Sequence, residues 1–348
     1  MLEPERGFGR AQARTGIRPR AGCPSSHRVG LGHSGALFAI ESGYVGVECS
    51  WRTYRWRWPL LVVRRARRRC TAAPGFQRYP WQSTERPVGA DLAAGARSRP
   101  GLGRSVDWHA RYTQQAGWTA QIRRYLYEKG GLAKTACVLE PGCGTGAVLA
   151  DCPAGALHGL DWDAQHLQVA QRAVPRARLV RANAVTLPYA TASFDACLTH
   201  YFLLWVDAAR VLAEMRRVTR PGGVILALAE PDYGARIDCP AELAEIGQLQ
   251  GSALERQGAD PRMGRKLAAL FAAAGLQQVT IGVMGGEWSA RQFEDGWDLE
   301  WAALEADLAG SLPAERLAEL RRIDATAWQH GERILFVPTF YAIGWVPE

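Results

Sequence analysis

Residues 138–147 read VLEPGCGTGA, an apolar run that ends in an acid and breaks into alternating glycines. A buried strand reads this way when its chain must turn tightly around a ligand at the strand's end. Gly142, Gly144 and Gly146 let the backbone approach that ligand closely, beside the N-terminus of an expected following helix. With Ala147 in the sixth position the loop fits a dinucleotide phosphate site as well as a cofactor that presents no phosphate. The loop alone leaves both open.

Outward from this stretch, strands and helices alternate. Apolar strands are expected at 136–140, 156–160, 178–182, 194–199 and 223–229. Between the last two, Val211, Leu212, Met215 and Val218 fall on one helical face, closed by Arg216, Arg217 and Arg220 and stopped by Pro221-Gly222-Gly223. Before the glycines, 107–132 reads as one or two helices ending at Gly130-Gly131. Later, Met263, Leu267, Leu270, Phe271 and Ala274 form a helical face, 277–284 a strand, 290–330 two helices and 333–345 a last strand bent at Pro338. Near-continuous apolar strands separated by helices predict a parallel sheet covered on both faces.

Three features separate the candidate cofactors. Glu140 sits at the strand end, where it would repel a pyrophosphate and attract an ammonium or sulfonium. Asn183-Ala184 closes the third strand and can meet an adenine edge. The run SFDACLTHYFLLWVDAARVLAEMRRVTRPGGVILAL supplies strand four, a long helix, a stop and strand five in order. Asp161, ending the second strand, suits ribose hydroxyls in either case.

Together LEPGCGTG, GLDWD, RANAVTLPY, SFDACLTHYFLLW and RRVTRPGG, ordered across 136–229, resemble the class I S-adenosylmethionine-dependent methyltransferases. The similarity is greatest to the small-molecule branch around ubiquinone and menaquinone biosynthesis. It implies an α/β, Rossmann-like, doubly wound seven-stranded sheet with an antiparallel last strand and a helical cover inserted before it, over 285–330. It implies S-adenosyl-L-methionine as cofactor, with Glu140, Gly142, Cys143, Gly144 and Gly146 around the methionine moiety. Asp161 would hold the ribose, Trp162 the adenine face, Asn183 and Ala184 the adenine edge, and His200 would line the cofactor. Asn183 departs from the aspartate common at its position, and an amide still accepts the adenine amine.

Methyl transfer from a sulfonium needs alignment and exclusion of water more than a special group. His200 is the candidate base, or a cofactor-lining ring without proton transfer. Asp232 and Tyr233 are weaker candidates, and Cys143 reads as a small packing residue. Trp288, Trp297, Trp301 and Trp328 line an acceptor pocket or belong to ordinary core. No Asn-Pro-Pro-Tyr run follows strand four, which argues against amino-methylation of nucleobases.

Charge divides the 348 residues sharply. Residues 1–105 hold 19 arginines against six acids, whereas 106–348 hold 23 basic and 28 acidic residues. The overall charge of +8 therefore belongs to the first third, which has no sustained apolar period. It is expected to be a largely disordered basic extension outside the native domain, and 106–348 the methyltransferase domain. Val106 can be encoded by GTG, so translation starting there is one expectation. The arginine- and aromatic-rich stretch 51–70 keeps a nucleic-acid methyltransferase as the alternative function, and a nicotinamide oxidoreductase is a distant third. Nucleic acid is not the expected partner; a small-molecule acceptor is. The eight cysteines form no CxxC pair and no metal-spaced cluster, so no metal is expected and a reducing cytoplasm is. No apolar run reaches the roughly 18 residues of a membrane span.

Overall fold

A computed structural model describes residues 107–133, 136–286 and 290–348. The basic segment 1–105 and Trp288 lie outside the described residues. Two helices come first, α1 (Trp108–Trp118) and α2 (Ala120–Lys129). Asp107 caps α1 by accepting from Ala110 N, and the chain turns out of α2 at Gly131, whose φ of 67° an L side chain rarely adopts.

The sheet then builds from β1 (Cys137–Pro141), β2 (Ala156–Asp161), β3 (Arg178–Arg181), β4 (Phe194–Thr199) and β5 (Thr219–Pro231), with α3 (Ala164–Ala173) and α4 (Ala208–Val218) between them. Strand β6 (Ile237–Cys239), α5 (Ala244–Arg256), α6 (Leu267–Ala273), β7 (Gln277–Met284), α7 (Ala290–Asp307), α8 (Ala314–His330), β8 (Ile334–Phe336) and β9 (Thr339–Trp345) follow. Seven strands form one sheet in the order β3-β2-β1-β4-β5-β9-β7. Strands β1 to β5 pair in parallel, and β9 runs antiparallel to both neighbours. The antiparallel last strand and the helices inserted before it agree with the reading of the sequence.

Strand alternation explains the two cores. Leu139, Cys197, Ile225 and Ala227 point to the face covered by α4 and α6, where Leu212, Met215, Leu267 and Phe271 are buried. Their neighbours Val138, Ala196, Leu198, Val224, Leu226 and Leu228 point to the other face, against Leu126 and Tyr127 of α2. Burial on both faces is why these strands read as continuous apolar runs.

Three expectations need correction. No regular helix follows the glycines: residues 142–151 form turns, with one helical-type bond from Ala150 N to Gly146 O. Pro153 disfavours helix in the residue before it, leaving too few positions for a stable helix. The last strand is also divided. Residues 334–336 pair with β6 in a separate two-stranded sheet, and the chain resumes as β9 after Pro338, which lacks a donor for either ladder. The helix α4 ends at Val218, so Pro221-Gly222-Gly223 lies within the irregular start of β5 rather than at the helix stop.

Helices α7 and α8 form the expected cover together with α5. Leu243, Ile246, Trp301, Leu304, Leu308 and Leu320 make its own apolar core. Trp301 is thereby ordinary core.

Candidate functional site

The glycine loop is a left-handed turn in three steps. Gly142, Gly144 and Gly146 have φ of 71°, 51° and 83°. A Cβ on Gly142 would lie 2.1 Å from the Phe202 ring, so both the conformation and the space require glycine there. Gly142 N and Cys143 N donate to Leu160 O at 2.7 and 3.0 Å, and Gly144 N donates to Asp161 Oδ2 at 2.9 Å. Asp161 Oδ1 accepts from Asp163 N at 2.9 Å. Burial pushes the Asp161 carboxyl up, while these two N–H groups pull it back. Cys143 is buried with its thiol pushed well up by burial, and its sulfur occupies the space beside Gly159, 2.8 Å from where a Cβ there would stand. A neutral, packed thiol is no nucleophile.

Glu140 is fully buried, and its Oε2 has no hydrogen-bond partner. Burial drives its carboxyl well above the usual range, and the nearby Arg123 guanidinium opposes this. Arg123 is itself buried, donating to Thr119 Oγ1 at 2.5 Å, to Ala116 O and to Asp151, with its Nε unpartnered. An orphaned acceptor at a strand tip beside a left-handed glycine turn fits a cationic ammonium, which would give that oxygen its partner. These residues therefore fit the amino-acid end of S-adenosylmethionine.

Parallel pairing of β2 with β3 sets Asp161 opposite Arg181, bringing the tips of both strands together. Trp162 is exposed there, Ala184 is buried, and Asn183 is exposed with its Oδ1 accepting from Val185 N at 3.1 Å. The predicted ribose and adenine residues thus form one neighbourhood, continuous with the glycine loop through the Asp161–Gly144 bond.

Beyond β4, His200 Nε2 lies 2.8 Å from Thr119 Oγ1 and its ring meets Tyr201 edge-on at 4.7 Å. Burial, reinforced by the Arg123 charge, lowers its pKa to about 3. Tyr201 has a φ of 49°, a strained position for a bulky residue. The chain after it is held by Glu230 at the end of β5, whose carboxylate accepts from Phe202 N, Leu203 N and Leu204 N at 3.1, 3.0 and 3.3 Å. Burial raises Glu230 to about 7 despite these bonds. Asp232 accepts from Gly234 N and from Arg265, so its carboxylate serves the fold locally. Tyr233 keeps partial exposure although burial pushes its hydroxyl up, with Tyr201, Arg111 and Glu300 close enough to act on it.

Arg123, Thr119, His109, Tyr112 and Glu230 were not singled out from sequence. His109 Nδ1 lies 2.9 Å from Thr145 Oγ1, and the Tyr112 ring is 3.3 Å from a Cβ built on Gly144. Nothing in an amphipathic helix marks such residues as facing a loop more than thirty positions away. Glu230 did carry a signal: like Glu140 and Asp161, it is an acid closing an otherwise apolar strand.

Known proteins resemble this chain. The family described as "Methyltransferase domain" matches residues 139–227. The chain is 31% identical over 191 residues to the demethylmenaquinone methyltransferase of Geobacillus stearothermophilus, covering 46% of this chain and 76% of that protein. It is 29% identical over 204 residues to the enzyme of the same name from Lysinibacillus sphaericus, covering 50% and 82%. Among solved structures, the geranyl diphosphate C-methyltransferase of Streptomyces coelicolor aligns with 16% identity and a TM-score of 0.46, over 76% of this chain and all of that one.

Proposed function

Because this chain belongs to the class I S-adenosylmethionine-dependent methyltransferases, we propose that it transfers the sulfonium methyl to a small, largely apolar acceptor beneath the α5–α7–α8 cover. One observation carries the choice of acceptor. His200, Tyr201 and Tyr233 retain accessible surface at the tips of β4 and β5, yet lie deep enough for burial to displace their proton affinities. Rings that are partly exposed yet set this deep suit a compact apolar molecule better than a nucleic-acid backbone. The relatives named for demethylmenaquinone support the same class.

S-adenosylmethionine is the cofactor, and when bound it supplies an electrophilic methyl on a cationic sulfur. In our reading Glu140 holds its ammonium, and Gly142, Cys143, Gly144 and Gly146 surround the methionine moiety. Asp161 takes the ribose hydroxyls, Trp162 covers the adenine face, and Asn183 and Ala184 meet its edge. Catalysis then rests on alignment of acceptor and methyl with water excluded. A base tuned to its task has a pKa near working pH, far above the value of His200. We therefore assign His200 as a neutral ring lining the methyl site, fixed by Thr119.

A radiolabelled methyl donor offered to the protein with a panel of hydroquinones and phenols, and separately with total RNA, tests the acceptor class. We expect label in the organic extract. Label confined to RNA, with transfer falling steeply as salt rises, would overturn it.

A further inference from the structure

Helix α1 is three turns long and touches both sides of the site. At about 100° per residue, His109 and Tyr112 share one face, and Arg111 and Gln114 share another roughly 160° away. The first pair lies on the cofactor loop, at Thr145 and Gly144. The second pair lies on α7: Arg111 Nη1 donates to Glu300 Oε2 at 2.5 Å, and Gln114 Nε2 donates to Gly296 O at 3.0 Å. Arg111 Nη1 also donates to Gln114 Oε1 at 2.7 Å, tying the two struts into one unit. The Arg111 side chain is 8% exposed and that of Glu300 26%, so solvent screens this pair far less than a surface bridge. Arg111 also stacks over Trp118 at the far end of the helix, 5.0 Å from the ring centroid.

We propose that Arg111 and Glu300 are positioning residues that make the acceptor cover sense cofactor occupancy. The proposal rests on the cofactor reading above. A ligand in the glycine loop holds α1 through Tyr112 and His109; the opposite face of the same rigid helix then holds α7 in place. The site for the acceptor is completed once the cofactor is bound, and the cofactor binds first. Coupling of this kind requires contacts that differ between the two states; a bound ligand adds them on the loop face of α1, and the struts pass that restraint to α7.

Hydrogen exchange of the full chain with and without S-adenosylhomocysteine, read by mass spectrometry, tests this. In the wild type the ligand is expected to slow exchange in α1, and in α7 by about fivefold or more, the lower end of ordinary coupling. In Glu300→Gln and Gln114→Ala, calorimetry should show S-adenosylhomocysteine still bound and α1 still protected, with the protection of α7 lost. Two separate struts are varied so that a folding defect in one leaves the other to decide. Bound ligand with α7 unprotected in the wild type, or protected equally in both variants, would overturn the coupling alone. No binding of S-adenosylhomocysteine to the wild type would overturn the cofactor reading and the coupling with it.

Discussion

At the tips of β1 and β2, Gly142, Cys143 and Gly144 turn their N–H groups onto Leu160 and Asp161. Beneath the cover, Arg333 instead reaches Asp238 at 2.8 Å and Asp324 at 2.5 Å, and Asp324 accepts the indole N–H groups of Trp297 and Trp301. The glycine-loop side is shaped by backbone, the cover by a side-chain network drawn from β6, α7, α8 and the turn after α8. Backbone can be shaped by a few consecutive residues, and one loop can serve many acceptors. A side-chain network draws on positions scattered along the chain, and loss of one member disturbs the rest.

The contrast predicts where the molecule breaks. Arg333, Asp238 and Asp324 are almost fully buried, so removing Arg333 leaves Asp324 without a cationic partner, while Asp238 keeps Arg236. Arg333→Met is expected to destabilise the protein by about 3–5 kcal/mol, measured by urea unfolding. A loss under 1 kcal/mol would show that the cover does not depend on its ion pairs.

Glu230 tests the border between the two sides. Its folded-state pKa, about 7, stands above the reference 4.5. Its contribution is therefore fully present below pH 4.5 and lost as pH rises through 7. Unfolding free energy should fall over that window by on the order of 3 kcal/mol more in the wild type than in Glu230→Gln. Parallel pH profiles would refute the buried titration.

On the cofactor side, Asp161→Ala should weaken S-adenosylhomocysteine binding by about 30-fold, the cost of roughly 2 kcal/mol of charge-assisted bonds. Calorimetry measures it, and unchanged affinity would remove Asp161 from the ribose site. The smallest effect is expected at His200. His200→Gln should lower methyl transfer by less than about 10-fold, below the range for loss of a general base, with a flat rate profile between pH 5 and 9. A 100-fold loss with an altered profile would restore the base.

The same division explains what sequence could disclose. Strand alternation, the φ-driven glycines and the strand-end acids are local, so β1 to β5 and the neighbourhood of Glu140, Asp161 and Asn183 are legible in the residues themselves, whereas the antiparallel last strand follows only from the family resemblance. The turn after Gly146 departs from the expected helix because Pro153 outweighs the apolar residues before it. Residues 333–345 were read as one strand because β6, which captures 334–336, lies nearly a hundred residues earlier. Arg111, Arg123 and Glu300 escaped notice because what they meet is fixed only by folding.

The position of β9 has a consequence for biosynthesis. It lies between β5 and β7 in the sheet, yet the ribosome makes β7 first and must then add residues 285–338 before β9 begins. Through that interval β7 has no strand to join, and the free edge of β5 waits with its N–H and C=O groups unpaired. The nascent chain thus carries an open sheet edge until nearly the whole cover has emerged. That interval, more than the finished fold, is when this protein is exposed to mispairing and to capture by chaperones.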